Sequence, residues 1–281
     1  MANIRINLMT GDYSRISKSM GCQEAKKIDG IDCLKETFIP IEPWIGLEKT
    51  ELESLIAKSD IQYTDLTLIK LPKFIKKSFE KLKIDNCINI HDISYIQNSV
   101  EFKRTLQTFL NHLERYNIEK KQLTPHSIYF GKPNLKNNTF NSKENVYIGM
   151  HLDSWEGDPL NLRSKSRNRI CLNLGKKSRY LLFYNIGLDD MAKMADFNTQ
   201  ADRFDINKIY KEFAKKYANF PIYRVEIKPY EAYVAPTEYI IHDGSSWNSS
   251  NPDINLVVRG NFFFGKFNFF RKIASYLKFL G

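Results

Sequence analysis

Hydrophobic residues recur at helical spacing in the first 120 residues of the chain. The pattern predicts amphipathic helices over 47–58, 70–83 and 99–117. In the third segment the apolar stripe consists of Phe102, Leu106, Phe109, Leu110 and Leu113. Charged residues lie outside this stripe, so we expect the helix to pack with one face against a larger element.

Beyond residue 120 the pattern changes to short runs rich in Val, Ile, Tyr and Phe, bounded by Gly, Pro, Asn or Ser. The runs are NVYIGMHL, NRICLNL, RYLLFYNI, YRVEIKPYEAYVAP, EYIIH and INLVVRGNFFF. This pattern is typical of short antiparallel strands. The sequence therefore predicts an α+β protein that is mainly β.

A helical insert interrupts the strands at about 188–220, where Asp205 is placed to cap an amphipathic helix. We expect two parts, a mixed and mainly helical part over 1–120 and a β core over 121–281. Plain packing is the favoured role of the insert, and a lid or a contact between subunits is the alternative.

The 281 residues, 42% of them hydrophobic, are enough to bury a full core. The first residues contain no apolar stretch of signal-peptide length, and no segment approaches the roughly 20 apolar residues that span a bilayer. The four cysteines lack CxxC spacing, which argues against a zinc knuckle or a redox pair. We therefore expect a soluble, cytoplasmic protein.

The net charge of +10 raises the hypothesis of nucleic-acid binding. However, 32 acidic residues are interspersed with 42 basic ones, which favours an ordinary charged surface. The densest basic tract, NLRSKSRNR at 161–169, is expected either to recognise an anionic substrate or carrier surface near a pocket or to form a solvated loop.

Candidate chemistry is concentrated in His151-Leu152-Asp153, followed far downstream by His242 and Arg259. In an extended strand alternate side chains share a face, so His151 and Asp153 point to one place. Two imidazoles and one carboxylate form the ligand set that holds Fe(II) on one face. An Arg beyond the last ligand can bind a dicarboxylate through two hydrogen bonds.

These residues resemble the Fe(II)- and 2-oxoglutarate-dependent oxygenase superfamily. The matching segments are NVYIGMHLDSWEG and AYVAPTEYIIHDGSSWNSSNPDINLVVRGNFFF. The resemblance implies a double-stranded β-helix, that is, a jelly-roll or cupin-like core, with the N-terminal helices packed on its outer sheet. It also implies that His151, Asp153 and His242 hold Fe(II), that Arg259 binds 2-oxoglutarate, and that dioxygen is consumed.

The resemblance further implies the type of reaction. Position 153 is Asp, whereas the halide-binding relatives have Gly or Ala as the third residue, so hydroxylation is expected. Desaturation and ring formation are the alternatives. The nucleic-acid repair branch has a second Arg six residues after the first, where this chain has Gly265, so nucleic acid is not the expected substrate.

Further site residues follow from strand faces and from proximity to the ligands. Arg169 and Asn173 share a strand face that either looks toward the co-substrate or faces outward. Trp155, Glu156, Tyr239, Ser245 and Trp247 are the candidate substrate contacts, Tyr239 being equally well a core aromatic. His126 has no acid or His two residues later, which argues against a ligand role and leaves a pocket role open.

The predicted function is hydroxylation of an amino acid, a peptide or a carrier-bound small molecule in natural-product biosynthesis, and the branch of the superfamily stays open. One alternative is a non-catalytic jelly-roll domain that binds a ligand such as a sugar. The other is a basic protein that binds nucleic acid or a membrane surface, because aromatic and basic residues alternate over 260–281. For that segment, a terminal strand and helix that close the core are the favoured interpretation.

Overall fold

The computed structural model describes residues 4–9, 11–57, 61–119, 121–198 and 205–265. In these ranges the strands are β1 (Ile6–Leu8), β2 (Ile16–Ser19), β3 (Cys22–Glu24), β4 (Lys27–Ile28), β5 (Ile31–Asp32), β6 (Phe38–Pro40), β7 (Ile45–Gly46), β8 (Leu66–Lys70), β9 (Thr124–Pro125), β10 (Tyr129–Gly131), β11 (Phe140–Asn141), β12 (Val146–Tyr147), β13 (Asn168–Asn173), β14 (Arg179–Phe183), β15 (Ile222–Ile227), β16 (Glu231–Ala235), β17 (His242–Ser245) and β18 (Asp253–Gly260). The helices are α1 (Lys49–Leu55), α2 (Lys73–Lys81), α3 (Ile90–Asn98), α4 (Val100–Leu113), α5 (Leu188–Met194) and α6 (Ile206–Lys216).

Two sheets form the centre of the described structure. The larger sheet has the order β1-β8-β16-β13-β18-β10, with β9 also paired to β18, and the smaller sheet has the order β17-β14-β15-β2-β7. Strands β1 and β8 are parallel, and the other neighbours named here are antiparallel. The prediction of a mixed, mainly β protein is confirmed.

The two sheets pack face to face. One hydrophobic cluster contains Leu68 and Tyr233 from the larger sheet together with Leu181 and Val225 from the smaller one. Each of these side chains is at most 1% exposed, and burying a side chain of this size contributes about 1.5–3 kcal/mol. This shared core holds the two sheets together.

The opposite face of the larger sheet is covered by helices. Ile170 and Leu172 of β13 lie in a second cluster with Phe79 of α2 and Phe109 of α4. The Ser99 side chain caps α4 by accepting a hydrogen bond of 3.1 Å from the Phe102 N–H. The amphipathic pattern thus predicted the position of α4 and the face that it buries.

The helical insert packs against the shared core. Ile209, Tyr210 and Phe213 of α6 are buried with Leu188 and Met191 of α5 in the first cluster. Asp205 caps α6 by accepting from the Asn207 N–H, as the sequence predicted. A role of the insert in a lid or a subunit contact stays a prediction.

The first 120 residues contribute strands as well as helices. Strands β1 and β8 extend the larger sheet, and β2 and β7 extend the smaller one. The predicted division of the chain at residue 120 stays a prediction. The predicted terminal strand and helix over 260–281 lie mostly outside the described residues, which end at 265. Among the described helices, none combines the length and the apolar character needed to cross a membrane.

Candidate metal centre

His151 and His242 are joined through their backbones. The His151 N–H donates to the His242 carbonyl at 3.0 Å, and the His242 N–H donates to the His151 carbonyl at 2.9 Å. Paired residues in an antiparallel bridge present their side chains on the same side, and the two ring centroids are 4.7 Å apart. Two imidazoles that are distant in sequence are therefore fixed beside one another.

Asp153 completes the cluster. Its Oδ1 lies 3.6 Å from His151 Nε2, and its Oδ2 lies 3.8 Å from His242 Nε2. One ligand atom from each of the three residues lies within 4.8 Å of the others. Met150 and Leu152 are buried in the hydrophobic cluster, as the alternation predicted. The predicted convergence of His151, Asp153 and His242 is confirmed.

Backbone carbonyls fix the orientation of both imidazoles. Nδ1 of His151 lies 2.9 Å from the Gly149 carbonyl, and Nδ1 of His242 lies 3.2 Å from the Ile240 carbonyl. Because a carbonyl only accepts, each Nδ1 must carry the proton, and each neutral ring then has its lone pair on Nε2. The lone pair of each ring is therefore on the nitrogen that lies nearer to Asp153.

The charges of the cluster suit a divalent cation. Burial opposes ionisation of Asp153, but the Arg169 guanidinium and the two imidazoles outweigh it and hold the pKa of Asp153 well below its usual value. Burial keeps the pKa of His242 well below its usual value. At neutral pH the cluster thus offers an ionised carboxylate and an unprotonated His242.

Arg169 contacts the ligands directly. Its Nη1 lies 2.9 Å from Asp153 Oδ2, and its Nη2 lies 2.8 Å from His242 Nε2. Arg169 belongs to the inward face of β13, so the strand alternation pointed to its position. A guanidinium only donates, so the contact with His242 again requires the lone pair to be on Nε2.

Arg259 lies opposite Arg169 in the register of β13 and β18. Its Nη1 donates to Glu156 Oε1 at 3.1 Å, and its guanidinium lies 5.1 Å from the centre of the Trp155 ring. Trp155 and Glu156, predicted as substrate contacts, thus come together with the predicted co-substrate Arg. Trp155 is 56% exposed, which makes it part of the rim of the site.

His126 also faces this region, directly after the two-residue strand β9. Its N–H donates to the Val257 carbonyl at 2.9 Å, and its ring lies 5.1 Å from that of Trp155. Burial, then the charges of Arg259 and Arg169, lower its pKa. It is not part of the His-Asp-His cluster, in agreement with the sequence argument against a ligand role.

Three buried nitrogen atoms around the cluster have no hydrogen-bond partner among the described residues: Arg169 Nε, Arg259 Nε and His126 Nε2. An unsatisfied buried polar group costs about 1–3 kcal/mol, so such groups are rare in folded proteins. Their presence together, beside a ligand set suited to Fe(II), fits a site that binds a metal ion and an anionic group.

The basic tract at 161–169 turns inward. Arg163 forms a buried ion pair with Glu238 at 3.3 Å and donates to the Asp153 carbonyl at 3.1 Å. Arg167 contacts Glu156, and Arg169 contacts Asp153. These three arginines lie against the candidate metal centre, and recognition of an anionic substrate or carrier surface by the tract stays a prediction.

Four predicted site residues lie elsewhere. Asn173 donates to the Lys177 and Ile227 carbonyls and accepts from the Gly175 N–H, which holds the turn after β13. Tyr239 lies in a turn and donates to Asp189. Ser245 donates to the Leu135 carbonyl, and the Trp247 ring stacks with Lys136. The structure does not bring these four residues to the metal ligands.

Comparison with solved structures finds similarity to the Kdo hydroxylase KdoO, a non-haem Fe(II), α-ketoglutarate-dependent dioxygenase. The cobalt(II) complex matches with 10% identity and a TM-score of 0.37, covering 70% of this chain and 79% of that chain. The complex with succinate and Fe(III) matches with 10% identity and a TM-score of 0.37, covering 70% of this chain and 78% of that chain. The apo form matches with 9% identity, the same TM-score of 0.37 and the same two coverages. No family model and no curated protein matches the chain.

Proposed function

We propose that this protein is an Fe(II)- and 2-oxoglutarate-dependent dioxygenase that hydroxylates an unactivated C–H bond. The observation that carries the proposal is the convergence of His151, Asp153 and His242, with one ligand atom of each within 4.8 Å of the others. Two imidazoles and one carboxylate leave coordination positions for a co-substrate and for dioxygen.

The strand order supports a double-stranded β-helix core. Strands β16, β13, β18 and β10 are neighbours in the larger sheet, and β15, β14 and β17 are neighbours in the smaller one, with the His151 segment bridged to β17. The chain passes from one sheet to the other at His151, β13, β14, β16, β17 and β18. This alternation between the sheets brings the His-x-Asp segment and the distal His together at the β17 edge of the smaller sheet.

The residues of the chain would each have a defined role. When bound, Fe(II) together with 2-oxoglutarate would supply the activation of dioxygen and the oxidation of the substrate. Asp153 is fixed by its N–H, which donates to the Thr237 carbonyl at 3.0 Å. Arg169 and Arg259 present two adjacent positive charges to an anionic co-substrate, which favours its binding by charge-assisted hydrogen bonds.

The proposed substrates are an amino acid, a peptide or a carrier-bound small molecule, with a role in natural-product biosynthesis. His151 lines a cavity of about 200 Å³, and a second cavity of about 840 Å³, which none of the three candidate metal ligands lines, has room for a substrate of this size. The lining of the larger cavity includes Asp158, Arg163 and Asp189 together with Leu160 and Phe197, so it offers both signs of charge and apolar surface. Arg163 also donates to the Asp153 carbonyl, which places one wall of the cavity beside the ligand segment.

The test is a succinate-formation screen of the protein loaded with Fe(II), across amino acids, peptides and carrier-bound substrates. We expect His151→Ala to lower succinate formation by about 100-fold or more, since even residues that only orient ligands change activity by 10–100-fold. The matched control is His91→Ala at an exposed helix position. Equal turnover by His151→Ala would refute the ligand assignment.

The alternative functions give different outcomes in the same screen. Binding of Fe(II) without succinate from any substrate would favour a non-catalytic binding domain. Salt-dependent binding of nucleic acid or lipid without succinate would favour a basic surface-binding protein.

A further inference from the structure

One oxygen of Glu156 is shared by two arginines. Glu156 Oε1 accepts from Arg167 Nε at 2.7 Å and lies 2.7 Å from Arg167 Nη2, while Arg259 Nη1 donates to the same oxygen at 3.1 Å. The contact with Arg259 is the longest of the three. Glu156 can therefore release Arg259 and keep both of its shorter contacts with Arg167.

Arg259 lies one strand away from Arg169, the residue that contacts Asp153 and His242. Arg259 is paired with Arg169 on the next strand, neighbouring strands being about 4.7–4.9 Å apart. The two carboxyl carbons of 2-oxoglutarate are separated by four C–C bonds, or roughly 5 Å at about 1.5 Å a bond. A dicarboxylate of this length is therefore comparable in length to the spacing of the two strands that carry Arg169 and Arg259.

The Arg259 guanidinium is held in place independently of Glu156. It lies over the Trp155 ring at 5.1 Å, a cation–π distance, and its Nε is buried without a hydrogen-bond partner among the described residues. Arg167 has a second anchor, since its Nη1 donates to Thr124 Oγ1 at 3.0 Å. A carboxylate can thus be exchanged at Arg259 while both guanidinium groups keep their positions.

We infer that Glu156 is an internal carboxylate that competes with 2-oxoglutarate for Arg259, and that loading of the co-substrate transfers Glu156 wholly to Arg167. The inference rests on the proposed function and deepens it. Glu156 keeps Arg259 paired when no co-substrate is bound, so the buried positive charge is never left alone. The same pairing weakens co-substrate binding, because one ion contact must be exchanged for another.

The experiment is calorimetric titration of 2-oxoglutarate into the protein loaded with Mn(II) under argon, so that no turnover occurs. We expect Glu156→Gln to bind 2-oxoglutarate about 3–10-fold more tightly than the wild type, the effect of one net hydrogen bond of about 0.5–1.5 kcal/mol. The matched probe is 2-oxopentanoate, which lacks the distal carboxylate and whose affinity we expect to stay within about twofold.

Two further variants isolate the competition. Glu144→Gln removes the same charge at an exposed position and is expected to leave both affinities unchanged. In an Arg259→Gln background, Glu156→Gln is expected to have no effect on 2-oxoglutarate, because the contested partner is gone. The Mn(II) affinity of each variant reports whether the metal centre has formed.

The outcomes separate this inference from the proposed function. If the wild type binds 2-oxoglutarate and Glu156→Gln binds it equally well, the inference is overturned and the function stands. If Glu156→Gln tightens 2-oxopentanoate as much as 2-oxoglutarate, the effect is general electrostatics and the inference is again overturned. If no variant with bound Mn(II) binds 2-oxoglutarate, both the function and the inference fail.

Discussion

Arg169 and Arg259 lie directly opposite one another on β13 and β18, with their side chains on the same face of the sheet. Like charges in this relationship destabilise a sheet. The two guanidinium groups contact different carboxylates, Asp153 at 2.9 Å for Arg169, and Glu156, which also pairs with Arg167, at 3.1 Å for Arg259. The stability of the sheet around Arg169 and Arg259 therefore depends on the partners of these charged groups.

Arg169→Gln should destabilise the metal-free protein more than the metal-loaded protein. Without Arg169, the buried Asp153 carboxylate loses its closest cationic partner, which costs about 3 kcal/mol for a buried pair. A divalent metal bound by Asp153 replaces that partner. Thermal unfolding with and without Mn(II) should show a larger metal-induced rise in Tm for the variant than for the wild type.

The prediction is contradicted if Arg169→Gln lowers the Tm of the metal-free and the metal-loaded protein equally. That result would mean that Arg169 stabilises the sheet through packing, independently of the charge of Asp153. Arg224→Gln is the matched control, because Arg224 stacks on Trp44 and on Tyr180 of β14, away from His151, Asp153 and His242.

Metal affinity should rise with pH through the pKa of His151. Burial opposes protonation of His151, but its hydrogen bond with Asp153 and the charge of Asp243 outweigh burial and raise the pKa above 6.5. A proton on His151 competes with the metal, so each pH unit below this pKa should weaken the apparent affinity by up to about tenfold. Above the pKa of His151 the affinity should level off.

Competition with a chelator from pH 6 to pH 8 measures this dependence. Calorimetry in buffers of different ionisation enthalpy should show release of about one proton per metal at the lower pH. An affinity that is constant over the whole range would exclude His151 as a ligand that must lose a proton.

The convergence of His151, Asp153 and His242 could be predicted from the sequence, and their role as metal ligands stays a prediction. Alternation places His151 and Asp153 on one face within three residues, and the order of the motif identifies His242. The pairing of His151 with His242 through their backbones was not predictable, because it depends on contacts between distant segments. Strand β8, a short buried run in a part that was expected to be mainly helical, was missed for the same reason.

Alternation of side chains between the two faces of a strand has limits, and these explain why some predicted site residues do not lie beside His151, Asp153 and His242. Asn173 does share the β13 face of Arg169, but it is four residues farther along, about 13 Å at the rise of a strand. Tyr239 precedes β17 in a turn, where alternation does not apply. His126 was the opposite case, since a residue in an irregular segment is brought to the site by the long-range pairing of β9 with β18.

His126 should reduce stability at mildly acidic pH. Burial, with a smaller contribution from Arg259 and Arg169, lowers its pKa in the folded protein below 6.5. As pH falls through 6.5 the unfolded chain binds a proton at this position before the folded protein does, so unfolding becomes more favourable. Below pH 6.5, the free energy of unfolding should decrease by up to about 1.4 kcal/mol per pH unit for this group until its folded pKa is reached.

Urea unfolding at pH 7.5 and pH 5.5 measures this contribution. His126→Asn should lose less stability between the two pH values than the wild type, whereas His91→Asn, at an exposed position, should behave like the wild type. His112, whose pKa burial also lowers, keeps its own contribution in both variants. If His126→Asn lost as much stability between the two pH values as the wild type, the fold would not favour the neutral form of His126.

Gly149 should be essential because its backbone holds His151. Its φ of +69° is in the left-handed region, and an added Cβ would lie 2.7 Å from Thr37 Cγ2 and 2.9 Å from the Phe38 carbonyl oxygen. Gly149→Ala should therefore cost about 2 kcal/mol or more in stability and move the carbonyl that orients His151, which weakens metal binding. The matched control is Gly30→Ala, which has φ of +80° and no atom within 4 Å of the added Cβ. Gly30→Ala should lose stability and retain its metal affinity. If Gly149→Ala also retained its metal affinity, the Gly149 carbonyl would not be what positions His151.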